Sequence, residues 1–299
     1  MNVNETLDSL LMRVEKPARY IGGELHTVVK DPDSVATRFA FAFPDMYEIG
    51  MSYLGLQIIY HVLNKQEDVA CERVFAPATD MEAEMRRVGL PLFTLENKTP
   101  LKEMDIVGFT LQYEMSYTNI LNMLDLAQIP MLAKDRGEEY PLIAAGGPCA
   151  CNPEPLADFI DFFMLGDGEE SLPELCRLHK EWKAQGGTKE EFLKKIAKME
   201  GVYVPSFYEP VYGEDGQLVE MKKLWDEAPD TIKKRVVSDM DTVEAPMHDI
   251  VPLISVVHDR AVVEIFRGCT RGCRFCQAGM IYRPIRERSM DRIKEIAKS

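Results

Sequence analysis

Five short apolar segments in residues 35–185, each followed by a turn and most by an amphipathic helical pattern, constrain the fold of this 299-residue chain most strongly. Their apolar side chains form continuous runs, which is typical of parallel strands covered on both faces. The pattern predicts an α/β fold with a doubly wound parallel sheet of the Rossmann or flavodoxin type. The predicted strands are residues 36–43, 70–75, 105–112, 141–145 and 159–165. The predicted helices are residues 54–63, 80–88 with Thr79 as a cap, 117–127 and 169–183.

Glycine, proline and acidic residues follow several of these strands. In a sheet of this kind, ligands bind beyond the carboxyl ends of the strands, near the point where the strand order reverses. Each glycine taken alone is also explained by a tight turn, and Asp167 and Glu169 also favour a helix N-terminus. Their joint placement on one edge nevertheless predicts a binding site. The candidate residues there are Asp45, Gly50, Gly146, Gly147, Pro148, Gly166 and Gly168.

Residues 186–259 differ in character from the predicted sheet. Thr188 precedes a capped amphipathic helix over residues 188–199, and short β-like segments begin at residue 202. The pair 207–212 and 217–222, joined by a glycine-containing turn, predicts a β-hairpin. We interpret 186–259 as a small α+β linker module, and residues 1–34 as a lead-in to the sheet domain.

The run from residue 267 to residue 279 contains three closely spaced cysteines, Cys269, Cys273 and Cys276. Three thiolates so close in sequence can hold one [4Fe–4S] cluster and leave one iron open for a substrate or cofactor. A structural zinc site is the alternative, but it usually has four ligands arranged in shorter Cys-x2-Cys pairs. No Cys or His follows Cys276, and the nearest earlier histidine is His258. The spacing favours an iron–sulfur cluster.

This motif resembles that of the radical S-adenosylmethionine superfamily, Cys-x3-Cys-x-aromatic-Cys, with Phe275 at the aromatic position. The resemblance implies that S-adenosylmethionine chelates the open iron and that one electron from the cluster cleaves it to a 5′-deoxyadenosyl radical. It implies that Phe275 contacts the cofactor. It also implies an electron-donating protein of the flavodoxin or ferredoxin type as a partner.

A second resemblance covers the sheet domain. The segments 146–148, 153–155 and 166–170, together with Asp161, resemble the cobalamin-binding domain that precedes the radical domain in one large branch of the superfamily. Residues 44–56, which include Ser52, resemble a subfamily of such proteins whose function is largely uncharacterised. Cobalamin proteins that ligate cobalt use Asp-x-His-x-x-Gly, whereas Tyr47 occupies the histidine position here. Either cobalt lacks a protein histidine ligand, or cobalamin does not bind. His61, on a predicted helix, is better explained as a packing or surface residue.

Residues 260–299 predict the first βα unit of a radical S-adenosylmethionine (β/α) barrel, with a strand at 261–266 and a helix from 290 to 298 capped by Ser289. A complete barrel typically needs roughly 200 residues or more. We therefore expect a truncated form, with the downstream barrel region missing or carried on another chain. The parent protein is expected to be an enzyme, but the resemblance does not extend that expectation to these residues alone.

Charge and cysteine content limit the remaining functional classes. A net charge of −14 argues against a protein dominated by nucleic-acid backbone contacts. No apolar run reaches the roughly 20 residues needed to cross a bilayer, and no secretory signal is evident. The seven cysteines favour reduced thiols over disulfides, so we expect a cytoplasmic protein without a membrane partner.

The resemblance therefore implies a radical S-adenosylmethionine enzyme acting on an unknown substrate. Cobalamin-dependent methyl transfer is the most natural reaction that it implies, and radical rearrangement and cyclisation are alternatives. One alternative is a methylthiotransferase acting on tRNA or protein, whose first domain would need its own cluster ligands. Only Cys71, Cys149 and Cys151 are candidates for those ligands, and their spacing is poor. Another alternative is a non-catalytic cofactor-binding fragment.

Overall fold

A computed structural model describes residues 3–299 and contains a six-stranded, mostly parallel sheet. The strand order is β2-β1-β3-β4-β5-β6, in which β1 to β5 are parallel and β6 is antiparallel to β5. This is a mixed α/β fold, as the apolar segments predict. The strands are β1 (Thr37–Phe43), β2 (Val69–Phe75), β3 (Ile106–Thr110), β4 (Leu142–Gly146), β5 (Phe162–Met164) and β6 (Val202–Tyr203).

Side chains that alternate along each strand enter two separate apolar clusters. In β1, Ala40 and Ala42 belong to one cluster, whereas Phe39 and Phe41 belong to the other. The first cluster includes residues of α1 (Val3–Leu11), α5 (Thr79–Val88) and α6 (Tyr117–Leu126). The second includes residues of α4 (Leu54–Asn64), α7 (Gly168–Gln185) and α8 (Lys189–Ile196). The short helices α2 (Ala18–Ile21) and α3 (Tyr47–Gly50) complete this part of the chain.

The predicted cap of α5 is wrong. Thr79 is the first residue of the helix, and Ala78, which has no capping side chain, occupies the N-cap position. The adjacent Asp80 provides a carboxylate instead, which accepts hydrogen bonds from the backbone N–H groups of Met81 and Glu15, both at 2.8 Å. By contrast, Thr188 caps α8 through a capping box with Glu191, as predicted.

The interpretation of residues 186–259 as a linker needs a correction, because Val202–Tyr203 forms the sixth strand of the sheet. A two-residue strand is too short to produce a recognisable periodicity. Gly201 has a φ of +89°, and a Cβ there would lie 2.6 Å from the carbonyl oxygen of Leu165, so only glycine permits this close approach. The predicted hairpin is present as β7 (Tyr208–Tyr212) and β8 (Leu218–Lys223).

The C-terminal segment contains β9 (Phe266–Arg267), α9 (Ala278–Ile281), β10 (Arg286–Glu287) and α10 (Met290–Lys298). The predicted strand at 261–266 is largely absent, because only Phe266 of that range is in a strand. Strand β9 pairs antiparallel with β10, and residues 261–265 have no strand partner within 3–299. Ser289 caps α10 by accepting a hydrogen bond from the backbone N–H of Arg292 at 3.2 Å, as predicted.

The helices between residues 3 and 299 are too short or too polar to cross a membrane.

Candidate functional site

A cavity of about 600 Å³ lies at the carboxyl ends of β3 and β4 and is also lined by Phe39 and Phe41 of β1. The chain passes from β1 to β2 on one side and then to β3 on the other, so the strand order reverses between β1 and β3. This is the position at which open α/β sheets bind ligands. The opposite wall consists of residues from the C-terminal segment, including Arg267, Gly268 and Tyr282.

The sheet side of the cavity, which we call the floor, combines glycine and alanine positions with the aromatic side chains of Phe39, Phe41 and Phe109. Gly108, Gly146 and Gly147 line it together with the small side chains of Ala144 and Ala145. A Cβ at Gly108 would lie 2.5 Å from Cζ of Phe39, and Gly147 has a φ of +94°. Gly146 and Gly147 therefore keep the end of β4 free of side chains, whereas the Phe39 ring lies against Gly108.

The predicted residues Gly146, Gly147, Pro148, Gly166 and Gly168 all line the cavity. Gly166 has a further reason to be glycine: its φ is +102°, and a Cβ would lie 1.9 Å from the carbonyl oxygen of Arg235. The Arg235 backbone crosses here, with its N–H donating to the carbonyl of Leu165 at 2.8 Å. Gly166 is therefore also explained by the close contact with the backbone of Arg235, which lies in the chain after β8.

The predicted residues Asp45, Gly50 and Ser52 do not line the cavity. Asp45 accepts a hydrogen bond from the hydroxyl of Tyr113 at 2.8 Å. Gly50 lies against Phe75, whose ring would be 2.3 Å from a Cβ at this position. Ser52 donates to the carbonyl of Glu48 at 2.7 Å and accepts from a backbone N–H at 3.0 Å. In this structure the three residues make local contacts.

Tyr47, which occupies the histidine position of the cobalt-ligating motif, points away from the cavity. Its side chain is 1% exposed, and its hydroxyl donates to Oε1 of Glu24 at 3.0 Å. The same carboxylate pairs with Arg73 at 2.8 Å, and Arg73 pairs with Glu96 at 2.7 Å. Burial raises the pKa of Tyr47, so its hydroxyl stays protonated as a hydrogen-bond donor.

His61 lies on α4, outside the cavity lining. Its Nε2 is 3.9 Å from a carboxylate oxygen of Glu244, and burial lowers the pKa of the imidazole. In this structure it is a partly exposed residue of α4.

Residues 268–282, which we call the cysteine loop, contain the three motif cysteines. Cys273 is exposed, and Cys269 and Cys276 are partly exposed. The backbone turns tightly, because the N–H of Cys276 donates to the carbonyl of Cys273 at 3.1 Å. Within residues 3–299, no three His, Cys, Asp or Glu side chains are grouped closely enough to hold a metal ion, so the three thiols are not drawn together.

The chemistry of the cysteine loop nevertheless fits an iron–sulfur cluster. It offers three solvent-accessible thiols and no other ligand type at the motif positions, which is the donor set of a cluster with one open iron. Phe275, predicted to contact a cofactor, is 92% exposed and lies outside the cavity lining.

The other four cysteines do not form a second cluster site. Cys71 and Cys176 belong to the apolar cluster on one face of the sheet, and Cys149 belongs to the cluster on the other. Cys151 is exposed and lines the cavity. Burial raises the pKa of both Cys149 and Cys151.

A group of ion pairs, missed by the sequence interpretation, joins the rim of the sheet to the C-terminal segment. Arg267 pairs with Asp167 at 3.1 Å and with Glu264 at 2.7 Å, and it also contacts Glu169. Arg286 contacts Asp167 as well. The two acidic residues after β5 therefore do more than favour the start of α7, because they bind arginines on either side of the cysteine loop.

The cavity also has polar and aromatic residues that the sequence analysis did not name as candidates. Lys234 donates to the carbonyl of Ile281 at 2.5 Å, and Tyr53 and Tyr282 lie on the lining. Burial raises the pKa of Tyr282 to about 12, so this phenol remains protonated at neutral pH. These residues come together only through the fold, because the segments that carry them are far apart in the sequence.

Residues 55–205 match the profile of a family described as Radical SAM proteins, N-terminal. The chain belongs to this family. The matched span contains β2 to β6 and the cavity residues of β3 and β4, whereas the cysteine loop lies beyond it. The family match thus covers the domain that supplies the cavity floor.

A curated relative of this radical SAM chain is the uncharacterized protein MJ0966 of Methanocaldococcus jannaschii, which is 26% identical over 262 residues. The alignment includes 87% of this chain and 45% of the relative, so the chain spans less than half of that protein's length.

Two solved structures are similar at low identity. One is the cobalamin-dependent S-adenosylmethionine radical enzyme OxsB with aqua-cobalamin and S-adenosylmethionine bound, with a TM-score of 0.49, 14% identity, and coverage of 88% of this chain and 32% of that one. The other is the radical S-adenosylmethionine methyltransferase TsrM from Kitasatospora setae, with tryptophan substrate and a SAM analogue bound. Its TM-score is 0.48 at 13% identity, and the match covers 88% of this chain and 45% of that one.

Proposed function

We propose that this chain forms the cobalamin-binding domain and the cluster-binding loop of a radical S-adenosylmethionine enzyme. One observation carries the proposal: a single cavity is lined by the glycine-rich floor of the sheet and by Arg267, Gly268 and Tyr282 beside the cysteine motif. A ligand on the floor would thus lie next to the loop that holds the cluster. The reaction proposed for the longer protein is methyl transfer through cobalamin, on a substrate that these residues do not identify.

Cys269, Cys273 and Cys276 would hold the [4Fe–4S] cluster through their thiolates. When bound, the cluster supplies an open iron for S-adenosylmethionine and the electron that cleaves it. The thiols reach solvent, and Phe275 beside them is 92% exposed. This outer side of the cysteine loop is where a reducing protein of the flavodoxin or ferredoxin type would bind.

The residues of the cavity bind and orient the second cofactor. Gly146 and Gly147 leave the end of β4 free of side chains, and the rings of Phe39, Phe41 and Phe109 give the rest of the floor an apolar surface on which a ring system can pack. Tyr53 and Tyr282 add aromatic surface, which favours a ring system over water. With its phenol protonated, Tyr282 can also donate a hydrogen bond to a ligand.

Cobalamin bound here would lack a protein histidine beneath the cobalt. Tyr47 is held by Glu24 in a buried ionic cluster, and His61 lies outside the cavity lining. The absence of cobalamin binding is the outcome that would refute this part of the proposal.

The methylthiotransferase alternative gains no support from the cysteines outside the motif, because Cys71 and Cys149 are buried in different apolar clusters. We therefore expect the iron of one cluster, about four atoms per chain, rather than about eight.

The test is to express the protein together with any downstream region in its gene and to measure iron, bound cobalamin and 5′-deoxyadenosine formation in one preparation. The expected result is one cluster, retained cobalamin and cofactor cleavage that is lost in Cys273→Ala. Cys151→Ala, which removes an exposed thiol outside the motif, is the matched control and should keep its iron. Retained cobalamin without cofactor cleavage would favour a non-catalytic binding module, and zinc in place of iron would refute the cluster.

A further inference from the structure

We infer that Arg267 is a positioning residue, which fixes the cysteine loop against the acidic rim of the sheet so that the loop borders the cavity. The inference rests on the proposed function, because the position of the loop matters only if it carries the cluster beside a bound cofactor. Arg267 itself would touch neither the iron nor the substrate. It is two residues before Cys269, directly beside the start of the loop.

The Arg267 side chain is held by carboxylates from two parts of the chain. Asp167 and Glu169 lie at the start of α7, about 100 positions earlier in sequence, and Glu264 lies just before β9. The arginine side chain is only 13% exposed, and those of Asp167 and Glu169 are 12% and 4% exposed. A guanidinium presents several donors in a fixed plane, so three carboxylates around it set its position and orientation.

The loop is closed at its base. Gly268 has a φ of +90°, and a Cβ there would lie 2.6 Å from the carbonyl oxygen of Pro284 and 2.7 Å from that of Tyr282. The far end is held by Lys234, which donates to the carbonyl of Ile281. Both ends of the loop are thus fixed, whereas Cys273 and Phe275 between them are exposed. Contacts at the base therefore decide where the three thiols stand relative to the cavity floor.

Loss of Arg267 should weaken the attachment of the C-terminal segment to the sheet more than loss of a surface arginine would. Asp167 retains Arg286, and Glu264 retains Arg288. Among residues 3–299, Glu169 has no ion-pair partner other than Arg267. Removal of the arginine leaves a nearly buried carboxylate without its cation, which is strongly unfavourable. Movement of the C-terminal segment away from the sheet would let water solvate this carboxylate.

Hydrogen exchange on the chain without cofactors tests this directly. Arg267→Gln should make the amides of the β9–β10 pair exchange about tenfold faster, while the amides of β3 keep their rate. Arg267→Lys, which keeps the charge without the planar fork, should give an intermediate rate. The matched control is Arg260→Gln, which removes an exposed arginine of the same segment and should change nothing. Equal rates in Arg267→Gln and Arg260→Gln would overturn the inference.

A second variant tests the inference if Arg267→Gln disturbs the whole fold. If Arg267→Gln also speeds exchange in β3, Glu169→Gln removes from the same group the one carboxylate that pairs with no other cation among residues 3–299, and it leaves Arg267 paired with Asp167 and Glu264. It should speed exchange in β9–β10 about threefold, and no change there would refute the inference.

A spectroscopic measurement separates positioning from a general loss of stability. In reconstituted protein, S-adenosylmethionine should alter the electron paramagnetic resonance spectrum of the reduced cluster in the wild type. That change should be lost in Arg267→Gln and partly restored in Arg267→Lys. If the wild type holds no cluster, the proposed function fails, and the exchange measurement still decides whether Arg267 positions the loop. Retention of the full change in Arg267→Gln would overturn the inference.

Discussion

The hydroxyl of Tyr47 donates a hydrogen bond to Glu24 at 3.0 Å, at the position where a cobalt-ligating motif would have histidine. Glu24 and its partner Arg73 have fully buried side chains. The tyrosine therefore belongs to a buried ionic cluster next to β2, and its ring packs edge-on against Phe75 with centroids 5.3 Å apart. Tyr47, which stands in place of the motif histidine, is thus part of the buried structure of this chain.

Tyr47→Phe should destabilise the fold by about 1 kcal/mol, because Glu24 loses one of its hydrogen-bond donors while the ring keeps its packing. Urea denaturation would measure the change. Tyr212→Phe, in the exposed hairpin, is the matched control and should leave the free energy of unfolding unchanged. Cobalamin retention should be the same in all three proteins, and its loss in Tyr47→Phe alone would contradict the placement of Tyr47 outside the site.

Gly108→Ala should weaken cobalamin binding about tenfold, because the new methyl group forces the Phe39 ring into the floor of the cavity. The same overpacking should lower stability by roughly 1–3 kcal/mol. Gly279→Ala is the control, since a Cβ there would meet nothing closer than 4.0 Å. Equilibrium titration followed by absorbance would measure both affinities, and unchanged affinity in Gly108→Ala would show that the floor is not the binding surface.

Burial lowers the pKa of His179 to about 4 from 6.5, and its Nδ1 lies 2.9 Å from the hydroxyl of Thr37. The unfolded chain takes up this proton near pH 6.5, whereas the folded chain resists protonation until about pH 4. The neutral histidine therefore stabilises the fold above pH 6.5, and this contribution is lost as the pH falls from 6.5 towards 4. The loss should amount to about 2 kcal/mol by pH 4.5.

The variant His179→Gln should show a shallower decline in stability over that pH window than the wild type. His258→Gln, which removes an exposed histidine, should keep the wild-type slope. Denaturant titrations at several pH values would compare the three. Parallel slopes for His179→Gln and the wild type would contradict the buried, neutral state of His179.

The main strands were predictable because their side chains are buried on both faces, which leaves continuous apolar runs such as 36–43 in the sequence. Strand β6 was not predictable, because two residues carry no periodicity. Its position also depends on the close approach of the chain at Gly201 to the carbonyl oxygen of Leu165. The predicted strand at 261–266 was wrong because an apolar run becomes a strand only where a partner pairs with it. In this chain, β9 pairs with β10 over two residues.

The glycines of the site could be predicted from their place after the strands, and five of the predicted binding residues do line the cavity. The outer wall could not be predicted, since Lys234, Arg267 and Tyr282 meet the floor only through contacts across the fold. Asp45 and Ser52 follow the same sequence rule as the glycines, yet hydrogen bonds to Tyr113 and Glu48 hold them outside the lining. The position of these residues in the sequence indicates the edge of the sheet on which they lie. Which of them line the cavity depends on side-chain packing, which the sequence does not show.

Thiol alkylation is the decisive test of whether the cavity between the sheet and the cysteine loop binds cobalamin. Cys151 lines the cavity, whereas Cys273 is exposed outside it. Mass spectrometry would follow alkylation of both cysteines in the chain, with and without hydroxocobalamin. Cobalamin should slow the modification of Cys151 about tenfold or more and leave the rate at Cys273 unchanged, because a bound ligand covers only the first thiol. Equal rates for Cys151 with and without cobalamin would contradict binding in this cavity.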